Sequence, residues 1–122
     1  MRISDLYARG EPVVSFEFFP PKTDAGYASL AHTIADLKRL SPGFVSVTWG
    51  AGGSTRRKTI DLVVSIQREI GLTAMAHITC VGAPRIQLAE TLAHLASEGI
   101  ENVLALRGDP PKDAAGFEAV EG

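Results

Sequence analysis

The sequence predicts an α/β fold of parallel βα repeats, half of a TIM-type (β/α)8 barrel with four strands and three helices. Three observations carry that prediction. β-like and helix-like segments alternate along the chain. They recur about every thirty residues, the size of one βαβ crossover unit. One polar residue sits towards the carboxyl end of each β-like segment, where barrel enzymes keep their chemistry.

The β-like segments are VVSFEFF (13–19), FVSVTW (44–49), TAMAHITC (73–80) and NVLALRG (102–108). β-branched and aromatic residues favour strands in the first two. The other two are placed mainly by position. The first helix-like segment runs from about Asp24 to Leu40, with Tyr27, Leu30, Ala31, Ile34 and Leu37 at helical spacing, and Pro42-Gly43 ends it. The second runs from about Ser54 to Ile70 and places Ile60, Val63, Val64, Gln67 and Ile70 on one side. Gly71 fits the left-handed position that follows a helix end. The third runs from about Pro84 to Glu98 with Leu88, Leu92 and Leu95, and Gly99 closes it in the same way. Pro84 suits the first turn, where its missing N–H is no loss.

Side chains alternate in direction along a strand. Counted this way, Glu17, Thr48, His77 and Arg107 are the polar members of four successive strand faces, spaced 31, 29 and 30 residues apart. A parallel sheet buried on both faces reads as continuous aliphatic sequence. Polar residues at one depth instead predict an inward ring at the carboxyl mouth of a barrel. An open doubly wound sheet is the alternative, with its function at one switch point and largely on loops. A complete barrel needs ~200 residues or more, so residues 1–122 are expected to form a single partial barrel domain, about half of one. That leaves a fragment, a truncated frame or completion by self-association as open alternatives.

Composition narrows the function classes. The chain has 122 residues, 45% hydrophobic and 21% charged, which is globular composition. A net charge of −2 gives no basic footprint for nucleic acid. The single cysteine, Cys80, has no internal partner for a disulfide and argues against a metal cluster. MRISDLYARG lacks the apolar core of a signal peptide, and no run approaches the ~20 apolar residues of a membrane span. A cytoplasmic protein away from membranes is expected.

Each polar motif has a structural and a functional reading. Glu17, between Phe16 and Phe18, pairs with Arg107, faces solvent, or sits half-desolvated with a raised pKa, as a general acid requires. GAGGST (50–55) is a flexible turn with Ser54 or Thr55 as N-cap, or a backbone cradle for phosphate, although it matches neither common phosphate-loop spacing. Arg56, Arg57 and Lys58 follow it, where positive charge opposes the helix dipole. His77 is a hydrogen-bonded core residue or a functional one. In LRGDPP (106–111), Arg107 offers a planar fork for an anion, Gly108 allows close backbone approach, and Asp109 accepts hydrogen bonds; the plainer account is an Arg–Asp pair in a stiff turn.

Taken together and in order, VSFEFFPPK, FVSVTWGAGGST, HITC and ALRGDPP resemble the N-terminal half of the methylenetetrahydrofolate reductase family, from about Ser15 to Pro111. The resemblance implies an eight-stranded α/β barrel that holds FAD. It implies reduction of 5,10-methylenetetrahydrofolate to 5-methyltetrahydrofolate with NADH or NADPH, serving one-carbon metabolism and methionine synthesis. It makes Glu17 the catalytic acid that protonates the folate's imidazolidine nitrogen, so that the ring opens to an iminium ion that takes up hydride from the reduced flavin. Thr48 and Trp49 match positions lining the nicotinamide and flavin site. His77, Arg107, Gly108 and Asp109 match flavin contacts. Glu17, Thr48 and Asp109 match folate-binding positions as well. Trp49 stands where many relatives carry Tyr. The partners implied are a folate and a nicotinamide nucleotide. Two competing expectations are a non-catalytic half-barrel that folds or self-associates without flavin, and an open-sheet protein that binds phosphate through GAGGST.

Overall fold

The computed structural model of the chain describes residues 1–49 and 53–109, without the side chains of 53–55. Residues 50–52 of GAGGST and the prolines that follow Asp109 therefore lie outside the described residues, while Ser54 and Thr55, expected as N-caps, are already inside a helix that begins at Gly53.

The elements run in the order α1 (Ile3–Tyr7), β1 (Ser15–Phe18), α2 (Asp24–Leu37), β2 (Phe44–Val47), α3 (Gly53–Ser65), β3 (Ala74–Thr79), α4 (Arg85–Ser97) and β4 (Asn102–Leu106). The four strands form one sheet in the order β1-β2-β3-β4, and every neighbouring pair is parallel. Sequential parallel order contains no reversal point, so the described sheet has barrel topology and not that of a doubly wound fold.

The long helices follow the expected periodicity because each buries one stripe against the sheet. Ile34 from α2, Leu62 and Val63 from α3, and Leu95 from α4 join Val45, Val47, Ala74, Ala76 and Ile78 in one core. Ile34, Val63 and the strand valines are fully buried, each contributing roughly 1.5–3 kcal/mol. Phe16 and Phe18 pack against the same core. Leu92, expected on the buried stripe of α4, is instead 46% exposed, and Leu95 carries that contact.

The helix ends add detail that periodicity lacks. Thr23 caps α2 by accepting from the Gly26 N–H. A 3-10 turn, Lys38–Leu40, then leads to Ser41 in the left-handed conformation, so the chain reverses just before Pro42. α3 begins at Gly53, one residue before the expected start, and passes into a π-helical turn, Ile66–Ile70. Gly71 and Gly99 adopt the left-handed geometry expected of them. Pro84 is the N-cap of α4, just outside its first turn. Around the helix ends, Gln67 donates to the Gly99 carbonyl at 2.6 Å and Arg68 pairs with Glu98 at 2.8 Å, fastening α3 to α4.

The short helix α1 was not anticipated. It is held to the start of β4 by Asn102, which is buried. The Asn102 Oδ1 accepts from the Ile3 N–H at 2.9 Å and its Nδ2 donates to the Met1 carbonyl at 2.9 Å. Beside it the Met1 ammonium lies 2.7 Å from Glu101, and Arg2 stands 3.8 Å from the same carboxylate. The hydrogen bond from that ammonium, and then its charge, hold the Glu101 carboxyl below its usual range. A lowered carboxyl pKa contributes stability above the unfolded-state value and loses it as pH falls through the folded value. The thermal midpoint of Glu101→Gln should accordingly lie slightly below wild type at neutral pH and low salt. The gap should close as pH drops through the acid range, and added salt should shrink it. A gap that is constant with pH would count against this ion pair.

Candidate functional site

Parallel pairing places directly opposed residues on one face of the sheet. Glu17 opposes Ser46, Ser46 opposes Met75, and Met75 opposes Asn102. The next row on that face holds His77 opposite Leu104, with Thr48 following from the β2–β3 offset. Phe16, Phe18, Val45 and Val47 belong to the other face, against the helices. Alternation thus resolves the position of Glu17: its aromatic neighbours enter the core and its carboxylate does not. The Glu17 side chain is 52% exposed, so Phe16 and Phe18 do not enclose it.

Two features of the expected ring are corrected. Glu17 lies one row nearer the amino ends of the strands than Thr48 and His77. Arg107 does not share their face. β3 and β4 pair with an offset of 27 residues, as in His77 opposite Leu104, so Asn102, Leu104 and Leu106 carry the Glu17 face. Val103, Ala105 and, one residue beyond the strand, Arg107 have the opposite parity. The reason is register: the even spacing of 30 from His77 to Arg107 switches faces where an odd offset keeps them.

The Glu17 side chain nevertheless spans the gap between rows. Its Oε2 accepts from the Ser46 hydroxyl at 3.4 Å and lies 3.5 Å from His77 Nε2. Ser46 is 5% exposed and His77 6% exposed, so a half-exposed carboxylate rests on two buried polar groups from the next two strands. Thr48 lies just beyond β2. Its N–H donates to the Phe18 carbonyl at 2.9 Å, and the Thr48 carbonyl accepts from the buried Thr59 hydroxyl of α3 at 3.4 Å. Trp49 packs against the core, and its Nε1 is buried with no hydrogen-bond partner among the described residues. Arg56 Nε and His77 Nε2 are in the same condition.

Past β4, the ladder continues from Cys80 N–H to the Leu106 carbonyl and from Val81 N–H to the Arg107 carbonyl, both at 2.9 Å. Gly108 follows with φ of +82°, and a Cβ there would lie 2.5 Å from Val81 Cγ1. The close approach expected at Gly108 is therefore to the end of β3. Asp109 is exposed.

Known proteins decide the family. The family model for methylenetetrahydrofolate reductase matches residues 2–122. The chain belongs to the methylenetetrahydrofolate reductase family. It is 41% identical over 121 residues to methylenetetrahydrofolate reductase (NADH) 1 of Arabidopsis thaliana, covering 99% of this chain and 20% of that protein. It is 42% identical over 105 residues to the 5,10-methylenetetrahydrofolate reductase of Pectobacterium carotovorum subsp. carotovorum, covering 86% of this chain and 35% of that one. The chain thus spans about a fifth of the plant relative and about a third of the bacterial one. Among the described residues, no helix is long and apolar enough to cross a membrane, and no cluster of His, Cys, Asp and Glu could hold a metal ion.

Sequence reasoning missed Ser46, Thr59 and Asn102. Each is a polar residue at a buried position, and Ser46 stands in a strand buried at all four positions. A hydroxyl between two core valines was the available signal.

Proposed function

We propose that this chain carries the acid-bearing part of a flavin-dependent reductase that converts 5,10-methylenetetrahydrofolate to 5-methyltetrahydrofolate with NADH or NADPH. The observation that supports this best is the Glu17 carboxylate, half-exposed on the sheet face opposite the helices and resting on Ser46 and His77. A folate imidazolidine nitrogen needs a proton before its ring opens. A carboxyl group reachable from solvent and steadied on one oxygen leaves its other oxygen for that nitrogen. Proton transfer from a positioned side chain is the chemistry such an arrangement performs.

FAD is the cofactor of this proposal, and the donor set is compatible with it. Trp49 Nε1 and Arg56 Nε are buried polar atoms without hydrogen-bond partners among the described residues, and His77 Nε2 has a 3.5 Å approach to Glu17 Oε2 that falls short of a hydrogen bond; buried polar groups are ordinarily paired. They lie in β3, just past β2 and in the first turn of α3. An acceptor-rich group bound at these strand ends would satisfy them. Thr48, Trp49, His77, Arg107, Gly108 and Asp109 are the residues proposed to hold it, Arg107 by the fork its guanidinium offers a pyrophosphate. When bound, the flavin supplies hydride transfer. The chain's own part is to orient it, to shield it with Trp49, and to hold the proton on Glu17.

The test uses the full-length protein. It should purify with a stoichiometric flavin spectrum that NAD(P)H bleaches and methylenetetrahydrofolate restores under anaerobic conditions. A colourless folded protein, or colour that the folate does not restore, would overturn the assignment. Asp109→Asn should change both folate affinity and the flavin midpoint potential, since it removes one negative charge from the proposed site. Unchanged values for both would remove Asp109 from it.

A further inference from the structure

We propose that Ser46 is a positioning residue for the Glu17 carboxyl, a role that rests on Glu17 being the acid of the proposed reaction. Three observations carry it. Ser46 opposes Glu17 in the β1–β2 register, so the two side chains share one face and one row. Ser46 is buried in a strand whose other members, Phe44, Val45 and Val47, are all apolar and buried. A buried hydroxyl costs free energy unless it is hydrogen-bonded, and its bond runs to Glu17 Oε2 at 3.4 Å.

The geometry also divides the carboxylate. Ser46 Oγ and His77 Nε2 both approach Oε2, at 3.4 and 3.5 Å. Oε1 has no hydrogen bond to either. At 3.4 Å the hydroxyl lies beyond the usual O–H···O distance of about 2.5–3.0 Å, a loose orienting contact of the kind that tightens when substrate is bound. A freely rotating glutamate spreads its proton over many positions. One anchored at Oε2 presents Oε1 in a narrow arc, and positioning of this kind is a recognised part of rate enhancement.

The experiment follows the two half-reactions separately in the full-length reductase. Ser46→Ala and the near-isosteric Ser46→Cys should slow reoxidation of the flavin by methylenetetrahydrofolate about 10- to 100-fold, the loss of one hydrogen bond to the carboxylate that forms as Glu17 gives up its proton. Flavin reduction by NAD(P)H should stay within about twofold, because that step takes no proton from Glu17. Ser46→Thr, which keeps the hydroxyl, should recover most of the lost rate. Adding Ser46→Ala to Glu17→Gln should cost nothing further, as expected of residues acting as a unit. A crystal structure of Ser46→Ala should show the Glu17 carboxylate spread over more than one rotamer. An unchanged folate half-reaction in Ser46→Ala and Ser46→Cys, with Glu17→Gln inactive, would overturn the role of Ser46 and leave Glu17 as the acid. Equal slowing of both half-reactions would also overturn it, as a packing effect. A Glu17→Gln protein that still reduces the folate would instead overturn the proposed function itself.

Discussion

Glu17→Gln in the full-length protein should stop folate reduction and spare the reduction of flavin by NAD(P)H. The expected loss in the folate half-reaction is about 10²- to 10⁴-fold, the usual contribution of a general acid. Gln has the same reach and shape but cannot give up a proton at neutral pH. Its side-chain oxygen can still accept from the Ser46 hydroxyl, so the buried partner is not orphaned. The other half-reaction transfers hydride between two cofactors and asks nothing of this carboxyl. The fold should hardly notice the change. Glu17 is half-exposed, and its two contacts are long, at 3.4 and 3.5 Å. The thermal midpoint is therefore expected to stay near wild type, which separates a chemical defect from a folding one. Stopped-flow absorbance at the flavin band reads both steps. A folate rate within a few-fold of wild type would exclude Glu17 as the proton source.

The parts of this molecule that sequence alone made legible are those governed by period and parity. Strand alternation separates Phe16 and Phe18, which enter the core, from Glu17, which does not. The odd spacings from Glu17 to Thr48 and from Thr48 to His77 keep all three on one face, as the β1–β2 and β2–β3 registers bear out. Arg107 shows where the reasoning stops. Its spacing from His77 continued the thirty-residue repeat, but repeat length does not determine register. The α4–β4 connection is short: Gly99 turns the chain, Ile100 N–H bonds back to the Leu95 carbonyl, and β4 begins at Asn102. The β3–β4 offset is 27, odd like the 29 of the other two pairs, so it is the even spacing of 30 from His77 that puts Arg107 on the other parity. The polar side chains beneath the site were hidden for a different reason. Ser46 is a single hydroxyl between two valines and Asn102 opens β4 directly after Glu101, and only three-dimensional neighbours show that one faces Glu17 and the other fastens α1.

Gly108→Ala is expected to destabilise the protein by about 2–4 kcal/mol, whether or not a cofactor is bound. Two effects add. The backbone at Gly108 has φ of +82°, a conformation that an L side chain adopts only under strain. The new methyl would also meet Val81 Cγ1 at 2.5 Å, Thr79 Cβ at 3.0 Å and Val81 Cβ at 3.2 Å. Thr79 ends β3, and the Val81 N–H bonds to the Arg107 carbonyl at 2.9 Å, so neither neighbour can retreat without opening the ladder. Overpacking of this sort costs about 1–3 kcal/mol by itself. The glycine is thus required by contact between the ends of β3 and β4, before any ligand is considered. Denaturant unfolding of the flavin-free protein isolates that requirement. A loss that appears only in the flavin-loaded form would mean that the methyl is excluded by the cofactor and that the strand ends can accommodate it. A full loss without flavin would instead place Gly108 in the scaffold that sets where Arg107 and Asp109 emerge, linking the last turn of the described chain to the geometry of the site.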